Sequence, residues 1–558
     1  MDIPSNTDIT RIIPVLDECQ TDLDHYSEEI EKLSETLATL KRKKDELQAY
    51  RDHQASFVSP VRRLPAEVLM EIFTLCCSTG LTIKGFKDKV SAPTLFLSQT
   101  CSFWHRVTLS TPALWSNLSI NLCEFKPNNG TRLHNLLKLY LNRSIEGPGL
   151  SFEVSAYEEY QHTERLDTEG WAAFGTLLRA RDIWTRASFN LPWILYSDVF
   201  ERLDGFHLWK RGAHLPNLKH LSIKWPKEYI DSEFGSEELF FATPPSPPFF
   251  EVLMHASALQ SFYLDELRNH SGFECLPLHH AKELSVSEIG QFSDLLWLLT
   301  RCAKNCVKIK FSTPALDIEE PEDFSAGSLP EIVFPDLHFL KYSFEHSDFH
   351  VPKILSTLTL PSLTTLELGL NRHVLHQQPP DWRQAMFRDL MNMLDRSGCS
   401  LKNLSIVGRL FETDREWIKI FSATPSVENL TIDVGQWHKA VLTGELFEAL
   451  SFNCVPDQYI VLPNLKMLRL SFEEDFFQNL GLSGTKPSRL PNEMDIFSMI
   501  KSRRTADGMQ IRRLQCFTLD CKVTTVAAHR WVQNFDSDVE PGLGALKKGG
   551  LRLSLKTR

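Results

Sequence analysis

Between Val15 and His53 the apolar positions return at alternating steps of three and four. Leu16, Cys19, Leu23, Tyr26, Ile30, Leu33, Leu37, Leu40 and Leu47 form one narrow seam, with Lys44 at its remaining position. No Gly or Pro interrupts it, and that spacing predicts a long helix with a coiled-coil face over 15–53. Pro14 stands where such a helix starts. Asp17, Glu18, Asp22, Asp24, Glu28, Glu29 and Glu31 make the first half acidic, and Lys41 to Lys44 make a late basic run, so both ends complement the helix dipole. At 1.5 Å per residue the helix would be about 55–60 Å long. A seam this narrow calls for a partner, either a second copy of the chain or a later part of the same chain.

After a short link, residues 64–115 carry two apolar blocks separated by a polar gap. In LPAEVLMEIFTLCC the apolar positions Val68, Leu69, Ile72, Phe73 and Cys76 recur at helical spacing, with Pro65 in a first-turn position where its missing N–H costs nothing. In LFLSQTCSFWHRVTLSTPALW the positions Leu97, Cys101, Trp104 and Val107 predict a second short amphipathic helix. Neither is long enough to be stable alone, so each must pack on something. Cys76 and Cys77 read as core residues.

Beyond Trp115 the period shifts to alternation at Leu118, Ile120 and Leu122, back to helical spacing at Leu133, Leu136, Leu137 and Tyr140, then to strands at 150–154 and 187–191 with a helix over 171–181 between them. From there the chain repeats Leu-x-x-Leu-x-Leu or a close apolar variant. Copies begin at Leu218, Leu259, Ala281, Leu337, Leu363, Leu401, Val427, Leu465 and Leu514. A Leu-Pro-x-Leu leader opens those at Leu215, Leu360 and Leu462, and helical runs such as 382–394 and 415–421 lie between copies. A strand plus a returning helix cannot bury its apolar face alone, so such units stack. The fold class expected is α/β: a long N-terminal helix, a small all-α unit, then a solenoid of parallel strands with returning helices. The wide and uneven steps between copies leave a non-solenoid α/β domain as the other arrangement. Thr243–Pro248, Ile318–Glu322 and Gly481–Asn492 read as insertions, and Leu551, Leu553 and Leu555 as a last strand before the basic end of the chain.

Composition removes several classes of function. A chain of 558 residues with 42% apolar and 23% charged content is globular and too long for one compact core. A net charge of −11 leaves no electrostatic footprint for nucleic acid or anionic lipid. MDIPSNTDIT has neither the basic start nor the apolar core of a signal peptide, and runs such as Leu295–Leu299 are too short to span a bilayer. Twelve scattered cysteines make no disulfide framework, so a reduced intracellular protein of cytoplasm or nucleus is expected. No phosphate-binding, nucleophile-elbow or metalloprotease motif occurs, and no catalysis, cofactor or metal is expected. Cys302 and Cys306, with His279 and His280 upstream, read as buried thiols on a helix and not as a zinc site.

The stretch Leu64-Pro65-Ala66-Glu67, then Ile72-Phe73, then Leu97-Ser98-Gln99-Thr100-Cys101-Ser102-Phe103-Trp104, then Leu114-Trp115 resembles an F-box. It departs from that pattern in the longer polar gap Ser78–Thr94 and in Phe103, where a basic residue is commoner. The later repeats resemble an irregular leucine-rich-repeat solenoid, and the whole arrangement is similar to the large F-box families of mushroom-forming fungi. The resemblance divides the chain into a tail at 1–14, the helix at 15–53, an F-box at 60–116 and a repeat domain at 117–558. It implies a substrate receptor of an SCF-type ubiquitin ligase. Leu64, Pro65, Val68, Leu69, Ile72, Phe73, Leu97, Cys101 and Trp104 would supply the surface for a Skp-type adaptor and its apolar support, with Glu67 orienting the first helix. Through that adaptor the chain would reach cullin and RING subunits, and residues 15–53 would allow a homodimer. The protein target would meet the polar side of the repeat strands. By alternation that side carries Lys224, Tyr263, Asp265, Glu367, Asp433, Arg469 and Asp520. The other reading is a coiled-coil and repeat scaffold that never meets a ligase; more remote is an enzyme on an unrecognised α/β domain.

Overall fold

The computed structural model describes residues 6–58, 60–84, 90–158, 161–162, 166–192, 195–196, 215–224, 253, 255–267, 273–274, 276–313, 329–344, 350–370, 381–408, 410–411, 413–436, 442, 444–452, 460–473, 493–505, 512–522, 542, 546–548 and 550–557. The expected insertions at 243–248, 318–322 and 481–492 lie outside them.

The chain begins with a 52-residue helix, α1 (Asn6–Phe57). It overruns the expected span at both ends. Pro14 lies inside it and not at its start. The ladder bond that a proline removes falls here near the helix end, in a solvent-exposed stretch, where losing it costs least. From Thr10 onward every described side chain of α1 is exposed, so among the described residues the helix rests on no later part of the chain.

A 3-10 turn at Pro60–Arg63 leads into three short helices, α2 (Ala66–Cys76), α3 (Pro93–Ser98) and α4 (Ser102–Leu109). The single helix expected from Leu97 to Val107 is thus broken. Cys101 is extended and sits at the N-cap of α4, where its Sγ accepts from the Trp104 N–H at 3.5 Å. The polar gap is not a plain loop either. It supplies β1 (Leu81–Ile83) and β2 (Val90–Ser91), paired antiparallel.

The remaining strands follow in chain order. They are β3 (Asn117–Asn121), β4 (Leu150–Ser155), β5 (Tyr157–Glu158), β6 (Gln161–His162), β7 (Trp184–Asn190) and β8 (His220–Lys224). Next come β9 (Ser261–Leu267), β10 (Glu283–Ile289), β11 (Lys308–Thr313), β12 (Ile332–Val333), β13 (Phe339–Phe344) and β14 (Leu358–Thr359). The last are β15 (Thr365–Leu370), β16 (Asn403–Val407), β17 (Asn429–Gln436), β18 (Met467–Glu473), β19 (Cys516–Lys522) and β20 (Arg552–Thr557). Two short pairs, β5–β6 and β12–β14, stand aside. All the others join one 16-stranded sheet in the order of the chain, each parallel to the next except at the β2–β1 edge. Sequential parallel strands with helices returning between them make a solenoid-like repeat, the arrangement expected from the pattern.

Register explains the pattern. One inner row runs Leu81, Leu118, Phe152, Ala187, Leu221, Phe262, Leu284, Ile309, Leu340, Leu366, Leu404, Leu430, Leu468, Phe517 and Leu553. A second, two residues on, begins Ile83, Ile120, Val154, Phe189 and Ile223 and continues to Leu519. Both rows lie in the core with the returning helices, and each fully buried side chain is worth roughly 1.5–3 kcal/mol. Residues between the rows face a side of the sheet that no described helix covers.

The Leu-Pro-x-Leu leaders close tight turns, the fourth residue's N–H donating to the first one's carbonyl: Leu218 to Leu215 at 3.3 Å, and Leu363 to Leu360 and Leu465 to Leu462 at 3.2 Å. Proline at the second position pre-sets that turn. One repeat escaped the sequence reading. Cys306, Ile309 and Phe311 are buried in the repeat positions of β11. Cys306 is therefore not on a helix with Cys302. Only Cys302 ends the helix Phe292–Cys302, and the Cys306 thiol donates to the Lys282 and Lys308 carbonyls at 3.4 Å.

Late in the stack one buried cation replaces many water contacts. Arg503, 1% exposed on the helix Glu493–Thr505, donates to the carbonyls of Leu450, Val461 and Leu462. Burial pulls its pKa down to about 10, so it stays charged at neutral pH. It also holds Leu462, whose φ of 51° is a left-handed conformation costly for a branched side chain. Arg503→Met leaves three buried carbonyls without that donor, at about 1–3 kcal/mol for each one left unsatisfied. Repeats unfold as neighbours and not all at once, so hydrogen exchange is the readout. Amides of 460–473 are expected to lose protection, while those of 365–370 keep it.

Candidate functional site

Two surfaces have the build of docking sites, and they come from different parts of the chain. The first is the helical unit α2–α4. Leu69, Phe73 and Cys77, at steps of four, are buried, and the Phe73 ring meets Trp104 edge-on at 4.9 Å between centroids. Trp115 ties this unit to the helix Gly130–Ser144: its Nε1 donates to the Thr108 carbonyl at 2.9 Å and its ring meets Tyr140 at 4.9 Å. The Thr94 hydroxyl donates to the Leu114 carbonyl at 2.7 Å inside the same core. Burial pushes the Tyr140 phenol up to about 12 and raises the Cys77 thiol.

The opposite side of α2 is also apolar, and it is exposed. Val68 is 43% exposed, Ile72 39% and Leu75 77%, again one helical stripe. Phe96 on α3 is 66% exposed. Among the adaptor-docking positions implied by the resemblance, Pro65, Glu67, Val68 and Ile72 are exposed, Leu64, Leu97, Cys101 and Trp104 half-buried, and Leu69 and Phe73 buried beneath them. Glu67 lies in the first turn of α2, where its charge suits the helix dipole, but Pro65 holds the cap position and no side chain caps the helix. Cys76, expected in the core, is exposed; Cys77 takes the inward position. Leu75 and Phe96 were missed. Helical periodicity marks an apolar stripe, and on a helix that is apolar on two sides it does not tell which side meets the core.

The second surface is the uncovered face of the sheet. Lys224, Tyr263, Asp265, Glu367, Asp433, Arg469 and Asp520 all lie in its outward rows. They form separate groups. The Lys224 ammonium sits 5.6 Å from the centre of the Tyr263 ring, and the Tyr263 hydroxyl reaches Asp265 at 3.0 Å and Ser287 at 2.7 Å. Glu367 pairs with Lys341 at 3.2 Å. Arg469 pairs with Asp520 at 3.4 Å, and Asp520 is itself only 6% exposed. An outward ladder of amides joins three strands, Asn429 donating to Asn403 at 2.6 Å and Asn403 to Thr365 at 2.9 Å. Near it Glu428 takes Lys466 and Arg512, and the Lys466 hydrogen bond holds its carboxyl below the usual range. Neighbouring charges of opposite sign and aromatic rings suit a protein surface.

Among the described residues no group of three His, Cys, Asp or Glu side chains comes together as a metal site, and no helix is long and apolar enough to cross a membrane.

Stability separates the two sides of α2. Phe73→Ala removes a buried ring and is expected to cost about 3–5 kcal/mol, seen as early loss of the α2–α4 unit in a urea titration followed by tryptophan fluorescence. Leu75→Ser and Phe96→Ser, on the outside, are expected to stay within about 0.5 kcal/mol of wild type.

No family model matches the chain, and no curated protein matches it. Among solved structures, the crystal structure of a TLR13–ssRNA13 complex is similar over 69% of this chain and 55% of that one, at 12% identity and a TM-score of 0.24. The chain thus spans about half the length of that structure, and a superposition so loose adds nothing to the fold read from the chain itself.

Proposed function

We propose that this chain is an F-box protein with an irregular leucine-rich-repeat domain, acting as the substrate-recognition subunit of an SCF-type ubiquitin ligase. The observation that carries the reading is the two-sided α2. Leu69, Phe73 and Cys77 hold it to the core, while Val68, Ile72 and Leu75 leave a second apolar stripe exposed on a helix otherwise fixed in place. An exposed apolar stripe on a rigid helix is what a permanent partner covers. The Leu64-Pro65-Ala66-Glu67 and Leu97-Ser98-Gln99-Thr100-Cys101-Ser102-Phe103-Trp104 blocks that build this unit make the partner a Skp-type adaptor, with cullin and RING subunits beyond it.

The uncovered sheet face takes the protein target. Its outward rows offer Lys224, Tyr263, Asp265, Glu367, Arg469 and their neighbours over many strands, a broad surface suited to a folded partner and not to a small molecule. The receptor makes and breaks no bond. It raises the local concentration of a target lysine beside the ubiquitin thioester, which is catalysis by proximity. Such a receptor works in the cytosol or nucleus.

The test is capture of the full chain by the host's Skp-type adaptor, comparing wild type with a Val68→Ser/Ile72→Ser/Leu75→Ser variant. None of the three side chains is in the core, so the variant keeps its fold. Wild type is expected to bind, and the variant to lose at least about 100-fold in affinity, as truncating several central apolar contacts does. A folded wild-type chain that fails to bind overturns the ligase reading and leaves the coiled-coil and repeat scaffold.

A further inference from the structure

Helix α1 is exposed along its whole seam, with Leu16, Leu33 and Leu47 at 60%, 65% and 68%. Among the described residues nothing else covers it. The order of steps along the seam, three-four-three throughout, reads the same from either end. A two-fold axis crossing the helix between Glu31 and Lys32 therefore sets every seam position opposite another. Ile30 faces Leu33 of the second copy, Leu23 faces Leu40, Leu16 faces Leu47 and Cys19 faces Lys44. In a parallel pair each position instead meets its own counterpart, so two Lys44 ammonium groups would share one buried layer.

The charges that flank the seam choose between these arrangements. In the heptad positions beside the core they are Asp22 and Glu29 in the first half and Lys41 and Lys43 in the second. Antiparallel pairing brings Asp22 beside Lys43 of the second copy at both ends of the coil. It also sets Lys44 opposite Cys19 of the second copy, one turn from the flanking Asp22. Parallel pairing sets Asp22 and Glu29 against serines and pairs no charges across the seam. Like charges in the core cost specificity as well as stability.

From this palindromic seam and its charge pattern we infer that the occupant of α1 is a second copy of the chain, joined as an antiparallel coiled-coil dimer. The inference does not rest on the ligase reading. At 1.5 Å per residue, the two Cys19 thiols of such a dimer lie about 37 Å apart along the coil, and each is next to position 44 of the other copy.

The full-length chain tests this directly. Light scattering behind size exclusion is expected to give twice the chain mass of 64.0 kDa. A Lys44→Cys variant is then oxidised mildly, and its disulfides are mapped by mass spectrometry. A Cys19 link to the introduced cysteine at 44 of the other copy is expected in most of the dimer, with no Cys19–Cys19 link in wild type. Ile30→Asp with Leu33→Asp is expected to raise the dimer dissociation constant more than about 100-fold while leaving the rest of the chain folded, because the central layers would bury unpaired charge. A monomeric wild type, an oligomer larger than two, or Cys19–Cys19 linkage overturns the proposal. Failure of adaptor binding leaves it standing.

Discussion

A single turn of this coil cannot bury its own apolar residues, and the whole sheet is the answer to that constraint. From Lys219 to Lys466 one backbone carbonyl at each step accepts two N–H groups from the next turn. The Lys219 carbonyl takes Gln260 and Ser261, the Gln260 carbonyl takes Lys282 and Glu283, and so on through Lys282, Val307, His338, Thr364, Lys402, Glu428 and Lys466. This shared acceptor fixes register between neighbours, and register keeps the two leucine rows on the helix side. Insertions of very different length fit between turns because the spacing is set at the strand and not by the connection. The shortest step between inner-row positions, Phe262 to Leu284, and the longest, Leu468 to Phe517, produce the same pairing.

The same constraint explains how the helical unit is held. A sheet edge with unpaired backbone groups invites aggregation. Here β1, drawn from between α2 and α3, pairs with β3 and continues both leucine rows through Leu81 and Ile83, with β2 outside it. A boundary at 116 thus runs across sheet hydrogen bonds. The Trp115 ring, edge-on to Tyr140 at 4.9 Å between centroids, adds a buried contact over the same junction. The exposed stripe of α2 is therefore presented from a fixed base, and its orientation relative to the uncovered sheet face follows from pairing and not from a hinge.

Much of this was legible in the sequence. The copies from Leu218 to Leu514 were visible because Leu-x-x-Leu-x-Leu combines strand alternation with the inward leader position, two signals that agree. The β11 repeat was not, since Cys306, Ile309 and Phe311 keep the burial but not the leucines. β1 was hidden because three residues between Gly80 and Lys84 are too few for a period to show. The outward rows were read correctly from alternation, yet alternation alone did not reveal that Arg469 covers Asp520 or that Lys341 engages Glu367. Those depend on cross-strand neighbours, which only register supplies. On α2 the limit was different in kind: Glu67, Glu71 and Thr74 mark one outward side, but with apolar residues on the two others they do not tell which of those meets the core.

The proposed antiparallel coil would set the distance between the helical units of its two copies. α1 runs to Phe57, only a few residues before the 3-10 turn at Pro60–Arg63, and the Arg62 guanidinium rests 4.8 Å from the Phe57 ring centre, so the link to α2 is short. With the two-fold axis between Glu31 and Lys32, the two helix ends stand roughly 75 Å apart. The two α2 stripes and the two sheet faces then sit at opposite ends of the coil. On the proposed function, a small folded target would reach only one of them, and each copy would act on it alone. A target with two copies of the recognised surface, itself a dimer or a repeat, can engage both ends, and its residence time rises by the effective-concentration factor that such spacing allows. In a parallel coil the two receptors would stand side by side and crowd one another's faces. On that proposal the charge pattern of α1 would bear on which targets the sheet could hold, although every described side chain of α1 from Thr10 onward is exposed.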